Sequence, residues 1–438
     1  MRRWEHRRFS STALSESHIK DFRDAITVLH RVLLTNLLPF WRQHVGDERS
    51  FGFLLTDNTT VSPLSPIKVD AAIRGIVGQS RTLWFFAKLM NTRYGDPTDN
   101  FQAHRGFKFL ADKMWDHKNG GFYWQIDDRG QPLREKKQLY GHAFALYGLS
   151  QYAAASGSGE ARKMARATFD HLERRFHDPE HPGYREFFAA DWTEVASTEC
   201  TYIGHSSASK LYNSHLHVLE ALIEYKRLEN TGLVRERIAE LCTILSGQVV
   251  RLPHFACCDV HFRDWRPVSL PELERTSYGH DLENIHMLIA ARHALGQDNA
   301  RFLGFYRAVF DNARRFGEDR LNGGFFNTGL LGKPADDLRK VWWVQAEALV
   351  ACAELFRLTA DPDFAKCFMR VLSWVVRRQI DWSGGEWFAE VTPKNKLAGA
   401  KIDLWKEPYH TGRAVLQCLG ILNDLPWDVA PDGTPSSS

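Results

Sequence analysis

No run of the 438-residue sequence approaches 18 consecutive apolar residues, so no segment reads as a membrane-spanning helix. The N-terminal stretch MRRWEHRRFSSTALSES is rich in Arg and Ser but has no apolar centre of the kind a secretory signal needs. The seven cysteines are odd in number and form neither a CxxC pair nor a disulfide framework, which points to free thiols in a reducing, cytoplasmic setting. Neither sign of charge dominates: 56 basic against 53 acidic residues leave a formal net charge of +3. With no basic stripe set against an apolar face, neither nucleic acid nor a membrane is an expected partner. HExxH, EF-hand and glycine-rich phosphate-loop patterns are missing, so no metal and no other cofactor is expected.

Convincing strands are also few. What is present is a long–short rhythm of about a dozen helical stretches, at 18–45, 71–91, 98–116, 138–155, 158–175, 207–229, 231–250, 277–297, 298–315, 338–358, 362–380 and 409–424. Apolar residues recur at i, i+3, i+4 and i+7 in most of them, as in HLHVLEALIEY and AEALVACAELF. Every second stretch is the more apolar and aromatic, which suits an inner ring, and its partner is richer in Arg, Lys and Glu. Six such pairs would close into a toroid. A Gly-Gly turn follows an outer-type helix at Gly120-Gly121, Gly323-Gly324 and Gly384-Gly385, predicting short hairpins on one rim. Residues 18–424 contain no Pro- or Ser-rich linker, so a single catalytic domain over 1–438 is expected, with flexible tails at about 1–17 and 428–438.

Polar and aromatic residues cluster near the start of each inner-type helix. In order they are Arg81, Tyr140, Asn213 with His217, His280 with Glu283, Trp343 with Glu347, and His410 with Arg413. Pairs spaced i, i+3 or i, i+4 share one helical face, and in a closed ring those faces converge on a central cavity. A lone histidine is more often structural than catalytic, but three on inner-type helices, His217, His280 and His410, beside Asn, Glu and Arg, weigh against that. The buried-type carboxylates Glu283 and Glu347 need partners, for which Arg81, Arg413 or a histidine would serve. Trp342 and Trp343 cannot share one helix face, so one is expected in the core. His215 and His286, off that face or without a polar neighbour, read as structural.

The segments RTLWFF, NSHLHVLEA, SYGHDLE, KVWWVQAEA, GGEWFAEVT and WKEPYHTGR, in this order, resemble the motifs of the N-acylglucosamine 2-epimerase superfamily, and most closely its cellobiose 2-epimerase branch. The resemblance covers about residues 25–424 and implies an all-α (α/α)6 barrel without metal or redox cofactor. It implies that His280 and His410 exchange the proton at carbon 2, that His217 assists, and that Glu283 supports His280. Arg81, Tyr140 and Asn213 would hold sugar hydroxyls and the developing oxyanion, while Trp343 and Trp405 would bracket the sugar. The sequence departs from the motifs at Asn284-Ile285-His286, where small residues and a tryptophan are more usual, and around Ser50-Phe51-Gly52-Phe53 and the polar segment 54–70.

Two histidines suit epimerisation because inverting carbon 2 requires taking a proton from one face and returning one to the other. The expected reaction converts cellobiose to 4-O-β-D-glucosyl-D-mannose, in a monomer or homodimer whose partner is a small sugar. A monosaccharide epimerase or isomerase of the same superfamily is the alternative. A glycoside hydrolase on the same barrel would instead rest on Glu283 and Glu347 as its two carboxylates.

Overall fold

The computed structural model describes residues 20–46, 52–55 and 73–425. The expected tails, Ser50, Phe51 and residues 56–70 lie outside that set. Among the described residues the chain forms twelve helices. The first, α1, runs from Phe22–Arg31 through a π-helical stretch, Val32–Leu37, into Leu38–His44. It is followed by α2 (Ile76–Leu89), α3 (Pro97–Phe109), α4 (Leu139–Ser156), α5 (Gly159–His171) and α6 (Tyr212–Tyr225). The second half holds α7 (Gly232–Thr243), α8 (Tyr278–Ala294), α9 (Leu303–Gly317), α10 (Trp342–Thr359), α11 (Pro362–Arg378) and α12 (Pro408–Asn423).

The even-numbered helices pack in a closed ring: α2 on α4, then α6, α8, α10 and α12, which returns to α2. Each odd-numbered helix from α3 onward packs outside the inner helix that precedes it, and α1 completes the outer layer against α12. This is an (α/α)6 barrel. Residue pattern explains the layering. In α4 every residue from Leu139 to Ala153 is buried, because an inner helix is covered by its neighbours, by the outer layer and by the groups that fill the barrel centre. In α11 only Phe364, Cys367, Phe368, Val371, Leu372, Trp374 and Val375 are buried, the single apolar stripe of an outer helix.

Helix starts differ in the same way. Four outer helices begin on side-chain caps: Asp96 with a reciprocal Asp99 for α3, Ser158 for α5, Thr231 for α7 and Asp361 for α11. Inner helices α2, α4, α6 and α10 begin without one, directly from an extended residue. Their lead-in residues are short strands: Ser209–Leu211 pairs with Val260–Phe262, and Lys340–Val341 with Glu390–Val391. Two expected helix starts, at 207 and 338, therefore fall late, at Tyr212 and Trp342. Strand pairing takes the backbone groups that a longer helix would have used.

The first turn of each of these helices is fastened instead by its fourth residue. Gln79, His142, His215 and Gln345 each accept a hydrogen bond from the backbone N–H of a rim turn, at Phe53, Phe122, Tyr184 and Phe325 (2.7, 3.0, 2.8 and 2.7 Å). In α8 the corresponding Asp281 accepts from Cys257 N–H at 3.1 Å. The rim turns themselves repeat one design. Asp116, Asp319 and Asp381 each accept from backbone N–H groups two and three residues ahead, and each holds a lysine from before the next inner helix: Lys137 (2.7 Å), Lys340 (2.8 Å) and Lys401 (2.8 Å). Gly120 and Gly121 sit at φ of 76° and 74°, which a side chain resists. A fourth copy, Asp178 with Lys210 at 3.0 Å, has no paired glycines and so gave no turn signal in the sequence.

Candidate active site

The sixth residues of the six inner helices are Arg81, Phe144, His217, Glu283, Glu347 and Arg413, and all six are buried in the barrel centre. Charged groups there exist only because they neutralise one another. Arg413 Nη2 donates to Glu283 at 2.6 Å and lies 2.7 Å from Oε1 of Glu347, and its Nη1 pairs with Glu220. Glu220 also accepts from the Tyr409 hydroxyl and lies 3.1 Å from Nδ1 of His217. On the opposite arc Arg81 donates to Glu407 at 2.9 Å and to the Tyr140 hydroxyl at 3.1 Å.

His410, on the first turn of α12, has its Nδ1 2.6 Å from Glu347 Oε1. Burial alone would raise Glu347, but Arg413 and the hydrogen bonds from His286 and His410 hold it well below the ordinary carboxylate range. A charged carboxylate cannot donate, so His410 carries its proton on Nδ1 and turns the Nε2 lone pair outward. Burial pushes the imidazolium of His410 down to about 3, although Glu347 opposes this. His280 is lowered too, by burial first. Both rings are therefore neutral near pH 7. The Trp343 ring from α10, the helix between α8 and α12, lies 4.7 Å from His280 and 5.7 Å from His410. Gly279 makes that approach possible: a Cβ there would overlap the Trp343 ring.

The sequence-predicted residues thus meet in one place. Asn213 neighbours the Tyr140 hydroxyl, whose own ionisation burial raises to about 12. Asn213 Oδ1, Arg81 Nε, Glu283 Oε2 and Arg413 Nε are buried with no protein partner. Burial, then the charge of Glu347, raises Glu283 above the ordinary glutamate value. Trp405 lies further out, 44% exposed, with its ring 6.1 Å from both Trp124 and Tyr140.

Several readings need correction. His286 is not isolated: it is buried, with Nε2 2.7 Å from Glu347 Oε2. Neither Trp342 nor Trp343 is a core residue; both are partly exposed and flank His410, with Trp342 6.5 Å away. Arg81 neutralises Glu407 rather than Glu283 or Glu347. Arg413 is fully buried beneath the carboxylates. The sequence reading missed Glu220 and Glu407. Glu220, three residues after His217, is a charge on an otherwise apolar stretch. Glu407 doubles as the cap of α12, accepting from Tyr409 N–H at 3.0 Å, and so reads as an ordinary helix start.

Donor atoms of Glu283, Glu347 and His410 lie within 4.8 Å of one another, a spacing a metal ion could use. The guanidinium of Arg413 already sits against both carboxylates, and a dication beside it would meet a fixed positive charge. The donor set fits an internal ion-pair cluster, not a metal centre. The same guanidinium nitrogen draws Glu283 and Glu347 together, whereas glycoside hydrolysis needs two carboxylates on opposite sides of the scissile bond.

Residues 65–414 match the family model described as N-acylglucosamine 2-epimerase. A cellobiose 2-epimerase of Ruminococcus albus is 30% identical over 404 residues, covering 90% of this chain and 98% of that protein. One from Bacteroides fragilis is 27% identical over 398 residues, covering 90% and 98%. The solved structure of cellobiose 2-epimerase from Spirochaeta thermophila superposes with a TM-score of 0.81 at 31% identity, over 92% of this chain and 97% of that one. Matched along most of its length in sequence and in fold, the chain belongs to the N-acylglucosamine 2-epimerase family.

Proposed function

We propose that this isomerase inverts carbon 2 of a reducing-end aldose, converting cellobiose to 4-O-β-D-glucosyl-D-mannose. The observation that carries the reading is the pair of neutral histidines, partly exposed His280 on α8 and buried His410 on α12, on either side of Trp343 in the ring. Ring opening moves the anomeric hydroxyl proton to a base and returns one to the ring oxygen. One histidine then takes the proton from carbon 2 of the open-chain sugar, leaving an enediolate, and the other returns a proton to the opposite face. Each acid–base group contributes about 10²–10⁴ in rate. Arg81, fixed by Glu407 and Tyr140 with Nε free, stabilises the oxyanion, and His217 assists from α6. Because both histidines rest neutral, the returning one must first gain a proton, which couples inversion to exchange with solvent.

Tyr140, Asn213, Glu283, Glu347 and Arg413 shape and charge the pocket, while Trp343 and the outlying Trp405 hold the sugar faces. Trp405 and Trp124 extend aromatic surface beyond the reacting centre, which favours a disaccharide over a single ring. The seven unpaired thiols fit a cytoplasmic site of action, and we place the catalytic unit in one domain, as monomer or homodimer. No described helix is long and apolar enough to cross a membrane. Incubation with cellobiose, lactose, mannose, glucose and N-acetylmannosamine, followed by carbohydrate chromatography, tests the reading: cellobiose should convert. Conversion of mannose alone would move the substrate to a monosaccharide.

A further inference from the structure

The Glu347 carboxylate is held from both ends by histidines of two different inner helices. Its Oε1 faces Nδ1 of His410 on α12 at 2.6 Å, and its Oε2 faces Nε2 of His286 on α8 at 2.7 Å. Glu347 is fully buried, and His286 and His410 are 3% and 6% exposed, so both bonds are largely shielded from solvent. Because Arg413 keeps Glu347 charged, both histidines must donate to it. A carboxylate fastened at one oxygen only can swing about its last torsion; fastened at both, its plane is fixed, and with it the direction of the His410 ring.

From this geometry we infer that His286 is a positioning residue for the epimerase reaction, acting on His410 through Glu347. The inference rests on the proposed role of His410 as a proton-transferring group. His286 lies two turns along α8 from His280, on the helix that supplies the other such group. The chain His286–Glu347–His410 therefore joins the helices of the two acid–base groups through α10, and sets the aim of one relative to the other.

Replacing His286 separates this role from a purely structural one. His286→Leu removes the donor at similar volume, and His286→Gln restores an N–H at the position of Nε2. In H286L, kcat should fall about 10²-fold, the usual scale of a misaimed reacting group, with KM little changed. H286Q should recover most of kcat. Nitrogen-15 histidine labelling gives a second readout that needs no substrate: the low-field Nδ1 proton of His410, identified by its loss in H410A, should move in H286L and persist in H286Q. Should H286L not fold, His286→Asn, whose amide is too short to reach Glu347, takes its place. Full kcat in the donor-lacking variant, or an unmoved His410 resonance, overturns the inference. A wild-type protein inactive on every sugar tested overturns the functional reading instead, and the resonance still decides the position of His286.

Discussion

His410 Nδ1 and Glu347 Oε1 lie 2.6 Å apart on neighbouring inner helices, and that contact decides which nitrogen of His410 can work as a base. Glu347→Gln keeps the shape but removes the charge, so the amide can face His410 in either sense and the tautomer is no longer imposed. It also leaves the fully buried Arg413 with one carboxylate fewer. Turnover should fall at least 10²-fold, and stability by on the order of 3 kcal/mol. Steady-state kinetics and urea unfolding check the two effects separately.

His280→Ala and His410→Ala should each leave less than a tenth of wild-type epimerisation, with circular dichroism and thermal unfolding close to wild type. His280 is partly exposed and neither ring fills the packed layer between inner and outer helices, so truncation removes chemistry more than packing. A variant retaining more than a tenth of turnover would lose its assigned role.

Stability should depend on pH in two separable windows. Burial raises Glu186 to about 8, Asp281 to about 7 and Glu407 to about 7, the last against the pull of Arg81. Groups raised in the fold stabilise it while protonated in both states, and that stability is lost as pH climbs through the folded values. Burial lowers His142, His215 and His410 to about 3. Groups of that kind contribute fully above the unfolded histidine value near 6.5, and the contribution is lost as pH falls toward 3. Between pH 7.5 and 8.5 the unfolded histidines have already lost their protons and the raised acids, Glu186 foremost, dominate, so the urea midpoint should fall as pH rises. Below pH 4 the histidines and the salt-bridged carboxylates dominate, such as Glu220 and Asp116, each at about 2, and the midpoint should fall as pH drops. A midpoint flat across pH 7.5–8.5 would count against the raised carboxyl of Glu186.

In D2O with cellobiose, the product should be 4-O-β-D-glucosyl-D-mannose with deuterium at carbon 2 and the glycosidic bond intact, read by NMR and mass spectrometry. The returning histidine draws its proton from solvent, since neither imidazole is charged at rest. A ketose labelled at carbon 1 would mean aldose–ketose isomerisation. Free glucose as the main product would mean hydrolysis.

The ring was legible in the sequence because an inner helix, covered on nearly all sides, must be apolar and aromatic throughout, as α4 is. The residues that face the centre were legible for the same reason: a histidine or glutamate inside such a stretch is conspicuous. Partnerships were not. Nothing local to HLHVLEAL tells that Glu220 meets an arginine 193 residues later, or that His286 meets a carboxylate 61 residues on. Those pairings arise only when six helices close. The starts of α6 and α10 were misplaced because the residues before them are compatible with a helix, and only distant strands claim them.

The aspartate–lysine ties at the rim have a consequence for how this barrel can change. In each, the aspartate ends an outer helix's turn and the lysine precedes the next inner helix, 21 residues later for Asp116–Lys137 and Asp319–Lys340, 20 for Asp381–Lys401. The stretch between is pinned at both ends before its own sequence matters. Lengthening such a pinned loop costs little conformational entropy, since closure depends only weakly on length. Each rim segment can therefore be redrawn alone, as a pane is replaced without disturbing its frame. The rim wall can drift in shape while the histidines proposed to transfer protons, mounted on the helices below, keep their aim.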